Sequence, residues 1–264
     1  MSELFRIIRG LGGNGGTFLA RAVAAIKNVV ILSETNPRSA NLFSFGLNPS
    51  YQIERHYRRL AFPVYLGHQA ELGSPQLFRR YILALRDQCA ARGLCLVIRD
   101  YNYADYIGAP FVWPPIGKSS LDFSLGSDVE KLDVVIIRHP VAQFLSLRAH
   151  KPLQRALTVN AFLRGYRTLL DVHGNATVFR YEDIFGAFDN QFPALLSALR
   201  LERDPQWEER LPLVTWIRGN EEGRAKNLPE KPSDPLSGVE TSLREEFLSD
   251  ENYRNVCDRC RYES

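Results

Sequence analysis

The sequence has neither a long apolar run nor a strong excess of one charge. Arg6 and Arg9 interrupt the first apolar stretch, which is therefore unlike a secretory signal, and no later run reaches the length of a membrane span. A formal net charge of +3 is too small to indicate nucleic-acid binding, although it suits a pocket for a polyanionic small molecule. We therefore expect a cytoplasmic protein with no membrane span and no nucleic-acid partner.

Cysteine is also scarce, with four residues in the chain. Cys89 and Cys95 lie in helix-to-strand patterns and are predicted to be buried thiols. Cys257 and Cys260 form a single C-x-x-C pair, and the sequence offers no second pair or histidines at the spacing of a zinc site. We therefore predict no metal, and we expect Cys257 and Cys260 to face solvent or to be able to form a disulfide.

Internal repeats and low-complexity tracts are absent as well. A chain of 264 residues with 45% hydrophobic content fits one α/β domain with a large core. We predict a single domain over residues 1–264, with insertions at about 36–74 and 101–132 and a C-terminal extension at 227–264. Both insertions are rich in aromatic residues, which could form the wall of a site for a sugar or planar acceptor or could pack in the core.

A glycine-rich segment, Gly10 to Thr17, follows a short apolar run and precedes a helical pattern. A strand, a glycine turn and a helix N-terminus together form an anion site, because glycine admits close approach and the first helical N–H groups point outward. Two interpretations stay open. Gly10, Gly12 and Gly15, with Glu34 about twenty residues later, match a dinucleotide fingerprint. Alternatively, the turn is a P-loop that ends in Thr17, although it lacks the Gly-Lys-Ser/Thr of a Walker A motif.

Short apolar runs alternate with helical patterns along the chain. We therefore predict a three-layer α/β fold of the P-loop type, with a parallel sheet covered by helices on both faces. Ligands of such sheets lie beyond the carboxyl ends of the strands. The predicted strands are 5–10, 29–32, 94–98, 134–137 and 177–179, and the clearest helices are 75–92, 140–150 and 159–172.

The fourth apolar run ends in Arg138, and Pro140 begins a helix that carries Ser146, eight residues after the arginine. An arginine at a strand end and a serine two turns into the next helix could bind one anion. Here the sequence resembles the sulfotransferases that use 3′-phosphoadenosine 5′-phosphosulfate (PAPS), in their bacterial and tyrosylprotein-like branch. Further similar segments are 31–34, 179–183 and 218–220, the last followed by Arg224 and Lys226.

This resemblance implies an enzyme that moves a sulfuryl group from PAPS to a hydroxyl or amine of an unknown acceptor, such as a carbohydrate or another small molecule. It implies no metal, because the donor is already activated. Glu34 would be the general base, with Asp100 as the second candidate and His139 as a weaker one. The residues that would bind the donor are Gly13, Asn14, Gly15, Gly16, Thr17, Phe18, Arg138, Ser146, Arg218, Gly219, Asn220 and Arg224.

Asn14 departs from the family pattern, in which the glycine loop carries a lysine or arginine. That cation would stabilise charge on the leaving phosphate, so we expect Asn14 to stand in a catalytic position and Asn14→Lys to keep or increase transfer. Arg21, Arg99 or Lys118 could supply the charge instead. A non-catalytic nucleotide-binding protein is one alternative, and an NAD-dependent oxidoreductase is another, which leaves Arg138, Ser146 and the 218–220 segment without a role.

Overall fold

The computed structural model describes residues 4–38, 51–52, 74–217 and 236–263. Within them a five-stranded sheet has the order β2-β3-β1-β4-β5, and all pairings are parallel. Each predicted run corresponds to one strand, and the predicted α/β class with a parallel sheet is confirmed. The strands are β1 Leu4–Arg9, β2 Val29–Thr35, β3 Cys95–Asp100, β4 Glu130–Ile137 and β5 Thr177–Arg180.

Helices follow every strand. Proline in the first turn begins α2 and α5, and Ser119, Thr158 and Asp250 cap the helices that follow them. In chain order the helices are α1 Gly16–Ala24, α2 Pro75–Ala91, α3 Tyr103–Tyr106, α4 Ser120–Leu125, α5 Pro140–Arg148, α6 Lys151–Ala156, α7 Val159–Val172, α8 Tyr181–Gly186, α9 Phe188–Ala198, α10 Trp207–Arg210, α11 Thr241–Ser249 and α12 Glu251–Cys260.

Alternate side chains of the strands serve opposite faces of the sheet. On one face, Ile8, Val97 and Ile136 pack with α1, α8 and α9 in one apolar cluster. On the other face the core is divided. One cluster joins β1, β2 and β3 to α2 and α4, and a second joins β4 to α5, α7 and α12.

The order of the strands determines where a ligand can bind. The chain leaves β1 towards β2 on one side of the sheet and leaves β4 towards β5 on the other. Connections that diverge in this way open a crevice at the carboxyl ends of two neighbouring parallel strands. Here the crevice lies between β1 and β4, where the segment 10–15 and Arg138 are found.

Arg9 lies buried at the junction of the two clusters on the divided face, with 1% of its surface exposed. Its guanidinium forms ion pairs with Asp100 at 3.1 Å, Asp122 at 2.7 Å and Asp133 at 3.0 Å, and donates to Ser119. One cation thus links β1 to β3, β4 and α4. Burial raises the pKa of Asp100 to about 7, with the Arg9 charge opposing that shift.

The predicted insertion at 101–132 takes part in this core. Asp105 accepts hydrogen bonds from Asn36 and Ser120, and Tyr103 and Tyr106 are buried. Trp113, by contrast, is 74% exposed. Several of the aromatic residues considered for an acceptor wall therefore pack in the core. Most of the other predicted insertion, 36–74, lies outside the described residues.

The expectation that Cys257 and Cys260 face solvent was wrong. Both are free thiols buried in the cluster of α5 and α7. Tyr253, Val256, Cys257 and Cys260 follow a helical period, so they form the apolar face of α12, which the core covers. Burial raises the pKa of Cys257 to about 11 and that of Cys260 to about 12. Cys89 is buried as predicted, whereas Cys95 is only partly so.

The described helices also bear on the question of a membrane span. Across residues 4–38, 74–217 and 236–263, none of them combines the length and the hydropathy that crossing a bilayer requires.

Replacing Arg9 by methionine should strongly destabilise the fold, because three carboxylates would lose their shared cation. Breaking a buried ion pair from one side costs about 3–5 kcal/mol. Arg200→Met is the control, since Arg200 pairs with Glu130 at 3.1 Å on the exposed surface, where such pairs contribute about 1 kcal/mol or less. Denaturant unfolding measures both, and equal losses would contradict the central role of Arg9.

Candidate functional site

The turn between β1 and α1 fits only glycine at its end. Gly13 and Gly15 have φ of 78° and 75°, in the left-handed region. A Cβ atom on Gly15 would lie 2.6 Å from Phe185 Cε2 and 2.7 Å from Tyr181 Cδ2. The turn is therefore pressed against α8, and the backbone of the first turn of α1 is held at the crevice.

Asn14 points into the protein. Its Nδ2 donates to the carbonyl oxygen of Ile136 at 2.8 Å, and its Oδ1 accepts the N–H of Gly16 at 3.1 Å. The side chain thus ties the turn to β4 and caps α1. A lysine has no acceptor for the Gly16 N–H, and it would place an ammonium at a position where Asn14 is 5% exposed. We therefore now expect Asn14→Lys to disturb the turn, contrary to the expectation from the family pattern.

Gln143 is a second anchor of the turn, which the sequence reasoning missed. Its Nε2 donates to the carbonyl oxygens of Leu11 and Gly12 at 3.0 and 2.9 Å. Gln143 lies three residues before Ser146 on α5, so the two share a helix face. That spacing is the signal that could have found it.

Arg138 and Ser146 meet at the glycine turn. Arg138 Nη1 donates to the carbonyl oxygen of Gly13 at 3.0 Å, and a Cβ on Gly13 would lie 3.3 Å from Ser146 Cβ. The guanidinium also stacks over the Tyr181 ring, 4.3 Å from its centroid. The eight-residue spacing therefore places an arginine and a serine beside the same residue of the turn.

Arg99 occupies the other side of the same turn. It is the last residue but one of β3 and donates to Ser33 Oγ at 2.9 Å and to Glu34 Oε1 at 3.0 Å. A Cβ on Gly16 would lie 2.9 Å from Arg99 Nε. The guanidinium therefore lies between the N-terminus of α1 and Glu34.

The two other cations considered from the sequence lie elsewhere. Arg21 is buried and donates to the carbonyl oxygens of Leu211 and Val214. Lys118 is exposed, and its ammonium lies 5.4 Å from the centre of the Phe123 ring. Arg99 is therefore the one of the three candidate cations that contacts the glycine turn.

Glu34 has an unusual backbone. Its φ is 55°, in the left-handed region that few residues other than glycine adopt, and the pairing of β2 with β3 shifts register between Leu32 and Thr35. Such bulges redirect a side chain at a strand end, and strained backbone is frequent at functional sites. The Glu34 side chain keeps 26% of its surface exposed.

The other two candidate bases are occupied elsewhere. Asp100 follows Arg99 and points to the opposite face, where its oxygens accept hydrogen bonds from Arg9, Asn36 and Asn102. The His139 ring is buried, with Tyr253 and Tyr262 against it. Neither side chain lies in the crevice, so Glu34 is the candidate base that the geometry retains.

The other predicted donor-binding residues divide into two groups. Thr17 is half-buried in the first turn of α1, whereas the Phe18 side chain packs on Phe185 in the core, which leaves only its backbone facing the turn. Arg218, Gly219, Asn220 and Arg224, together with Lys226, lie outside the described residues.

Comparison with known proteins supports the fold. No protein-family model and no curated protein matches the sequence. Among solved structures, the chain is similar to the sulfotransferase domain from the curacin biosynthetic pathway, with a TM-score of 0.56, 14% identity and 98% of each chain covered. It is also similar to the sulfotransferase domain from the Synechococcus PCC 7002 olefin synthase, with a TM-score of 0.55, 12% identity and coverage of 100% of this chain and 96% of that one. The chain therefore has a sulfotransferase fold.

Alanine at Gly15 should disrupt the turn by steric clash. Gly93 is the matched control, because its φ is 70° but a Cβ there meets nothing within 4 Å. Gly93→Ala should cost about 1–2 kcal/mol in the free energy of unfolding, the penalty for a left-handed residue. Gly15→Ala should lose about 1–3 kcal/mol more, because its Cβ overpacks against two aromatic rings. Denaturant unfolding of both variants measures the difference, and equal costs would contradict the close packing of the turn on α8.

Proposed function

We propose that this protein transfers a sulfuryl group from PAPS to a hydroxyl or amine of a small-molecule or carbohydrate acceptor. The observation that carries the proposal is the pair of cations around one glycine turn. Arg138, with Ser146, lies at Gly13, and Arg99, with Glu34, lies at Gly16. An anion site flanked by two arginines suits a donor with two phosphate groups, and the carboxylate at its rim suits proton transfer.

The residues of the turn fit this donor. The N–H groups of the turn from Gly13 to Thr17, apart from the Gly16 N–H that donates to Asn14 Oδ1, and the Thr17 hydroxyl would hold the 5′-phosphosulfate at the positive end of α1. Arg138 and Ser146 would bind the 3′-phosphate with a charge-assisted contact and a hydroxyl. Side chains at Gly13 or Gly16 would collide with their neighbours, so glycine at these positions lets α5 and Arg99 approach the turn closely.

In the proposed reaction, Glu34 accepts the proton of the acceptor hydroxyl as its oxygen attacks sulfur. The bond between sulfur and the bridging phosphate oxygen breaks, and its electron pair leaves with adenosine 3′,5′-bisphosphate. Arg99 lies beside the turn where that negative charge develops, so it would do what the family assigns to the loop cation. Arg99 therefore weakens the argument from Asn14 for a non-catalytic protein.

The order of the strands argues against the NAD-dependent alternative. In a dinucleotide fold the acidic residue follows a strand that neighbours β1. Here β3 separates β2 from β1, so Glu34 lies two strand spacings, about 10 Å, from the line of β1. That distance does not suit a carboxylate that binds the ribose of a dinucleotide held at β1.

Nucleotide binding should depend on the 3′-phosphate. We expect adenosine 3′,5′-bisphosphate to bind roughly tenfold or more tightly than AMP, because losing a hydrogen bond to a charged group costs about 1.5–3 kcal/mol. Ser146→Ala should reduce that preference without weakening the binding of AMP. Isothermal titration calorimetry measures both nucleotides and NAD. Equal affinity for AMP and the bisphosphate would refute the assignment of this site, and tight NAD binding would favour the oxidoreductase.

Turnover should depend on Glu34. Glu34→Gln preserves the size of the side chain but cannot accept a proton, so transfer should fall by roughly two orders of magnitude while donor affinity stays within about a few-fold. Glu202→Gln, at an exposed position after α9, is the control and should keep full turnover. Unchanged turnover in Glu34→Gln would rule out this carboxylate as the base.

A further inference from the structure

The backbone at Arg138 and His139 is held by two side chains from outside β4. The Tyr166 hydroxyl donates to the Arg138 carbonyl oxygen at 2.8 Å and accepts the Arg138 N–H at 3.2 Å. Glu182 Oε1 accepts the N–H of His139 at 2.9 Å. These contacts lie where β4 ends and α5 begins, so they fix the position of Arg138, just beyond the strand, relative to Ser146 on the helix.

Glu182 is in turn held by the C-terminal segment. Its second oxygen, Oε2, accepts the Tyr262 hydroxyl at 2.7 Å. The Tyr262 ring packs edge-on against His139, with the ring centres 5.2 Å apart, and the Arg180 guanidinium lies 5.0 Å from the Tyr262 ring centre. Arg180 also donates to the carbonyl oxygen of Arg261 at 2.9 Å. The segment after α12 is therefore attached to the end of β5 and, through Glu182, to the start of α5.

We infer that Tyr262 is a positioning residue for the 3′-phosphate subsite, because it holds the carboxylate that fixes the peptide between Arg138 and α5. The inference rests on the proposed function. Tyr262 does not itself reach the turn in this chain of contacts, but acts through Glu182 and His139. Without its hydroxyl, Glu182 keeps one partner of two and can turn, so the geometry between Arg138 and Ser146 loosens.

The ionisation of the two tyrosines is consistent with this role. Burial, and then the neighbouring Tyr166 and Glu182, raise the pKa of Tyr262 above its ordinary value. Burial likewise raises the pKa of Tyr166. Both hydroxyls therefore keep their protons at physiological pH and can donate throughout.

Tyr262→Phe tests the inference, because it removes the hydroxyl and keeps the ring against His139. We expect adenosine 3′,5′-bisphosphate to bind about three- to tenfold more weakly, the order of effect of one lost hydrogen bond, with AMP affinity unchanged. Tyr253→Phe is the matched control. Tyr253 also packs its ring on His139, at 6.3 Å between ring centres, but its hydroxyl lies at Cys257. That variant should bind both nucleotides as the unaltered protein does.

Variants of Glu182 provide a second test of the inference. Glu182→Gln retains an oxygen for the His139 N–H and should keep most of the preference for the bisphosphate, whereas Glu182→Ala should lose it as Tyr262→Phe does. Calorimetry with both nucleotides, beside thermal unfolding of each variant, separates positioning from general loosening. Suppose that the unaltered protein prefers the bisphosphate. If Tyr262→Phe then weakens the binding of AMP and of the bisphosphate equally, or changes neither affinity, the inference about Tyr262 is wrong and the proposed function stands. If the unaltered protein has no such preference, the proposed function fails with it.

Discussion

A single buried cation holds together the strands that surround the site. Arg9 ends β1 and shares its charge among carboxylates of β3, α4 and β4, so the three central strands cannot shift relative to one another without separating buried opposite charges. The network continues into the turn, since Asn102 donates to Asp100 and accepts the N–H of Gly10. The first residue of the glycine turn is thus attached to the same cluster that aligns the strands.

Beyond Gly10, contacts with side chains hold the glycine turn in one conformation. Asn14 ties it to β4, Gln143 to α5, and Arg138 to the strand end. Dipoles that are fixed before the ligand arrives need no reorganisation during reaction, and this preorganisation is usually the largest catalytic contribution. Asn14 therefore contributes rigidity to the turn, and in the proposed reaction Arg99 of β3 would supply the charge.

The sequence predicted most of the sheet well because β1, β2 and β3 are buried on both faces and read as nearly continuous apolar runs. β4 is the instructive exception, because it begins at Glu130, four residues before the predicted run. Its first half was not recognised because it carries Lys131 and Asp133, which belong to the cluster of charges around Arg9. The approach of Arg138 to Ser146 could be predicted, because a strand end and the next helix are local in the chain. The sequence could not predict which cation reaches the turn, because that depends on β3 lying beside β1. It also could not predict the burial of Cys257, because that depends on α12 packing against α7.

The position of β1 at the centre of the sheet has a consequence for how the protein is made. Both partners of Arg6 across the sheet, Val97 and Leu132, come from segments synthesised long after β1 leaves the ribosome. Pairing between segments so distant in sequence is slow, because closing the long loops between them costs entropy before the strand contacts form. The strand β1 and its glycine turn must therefore wait in the growing chain, and the crevice between β1 and β4 exists only once the three central strands are assembled. A ligand that binds in this crevice would then favour the completely folded chain by mass action.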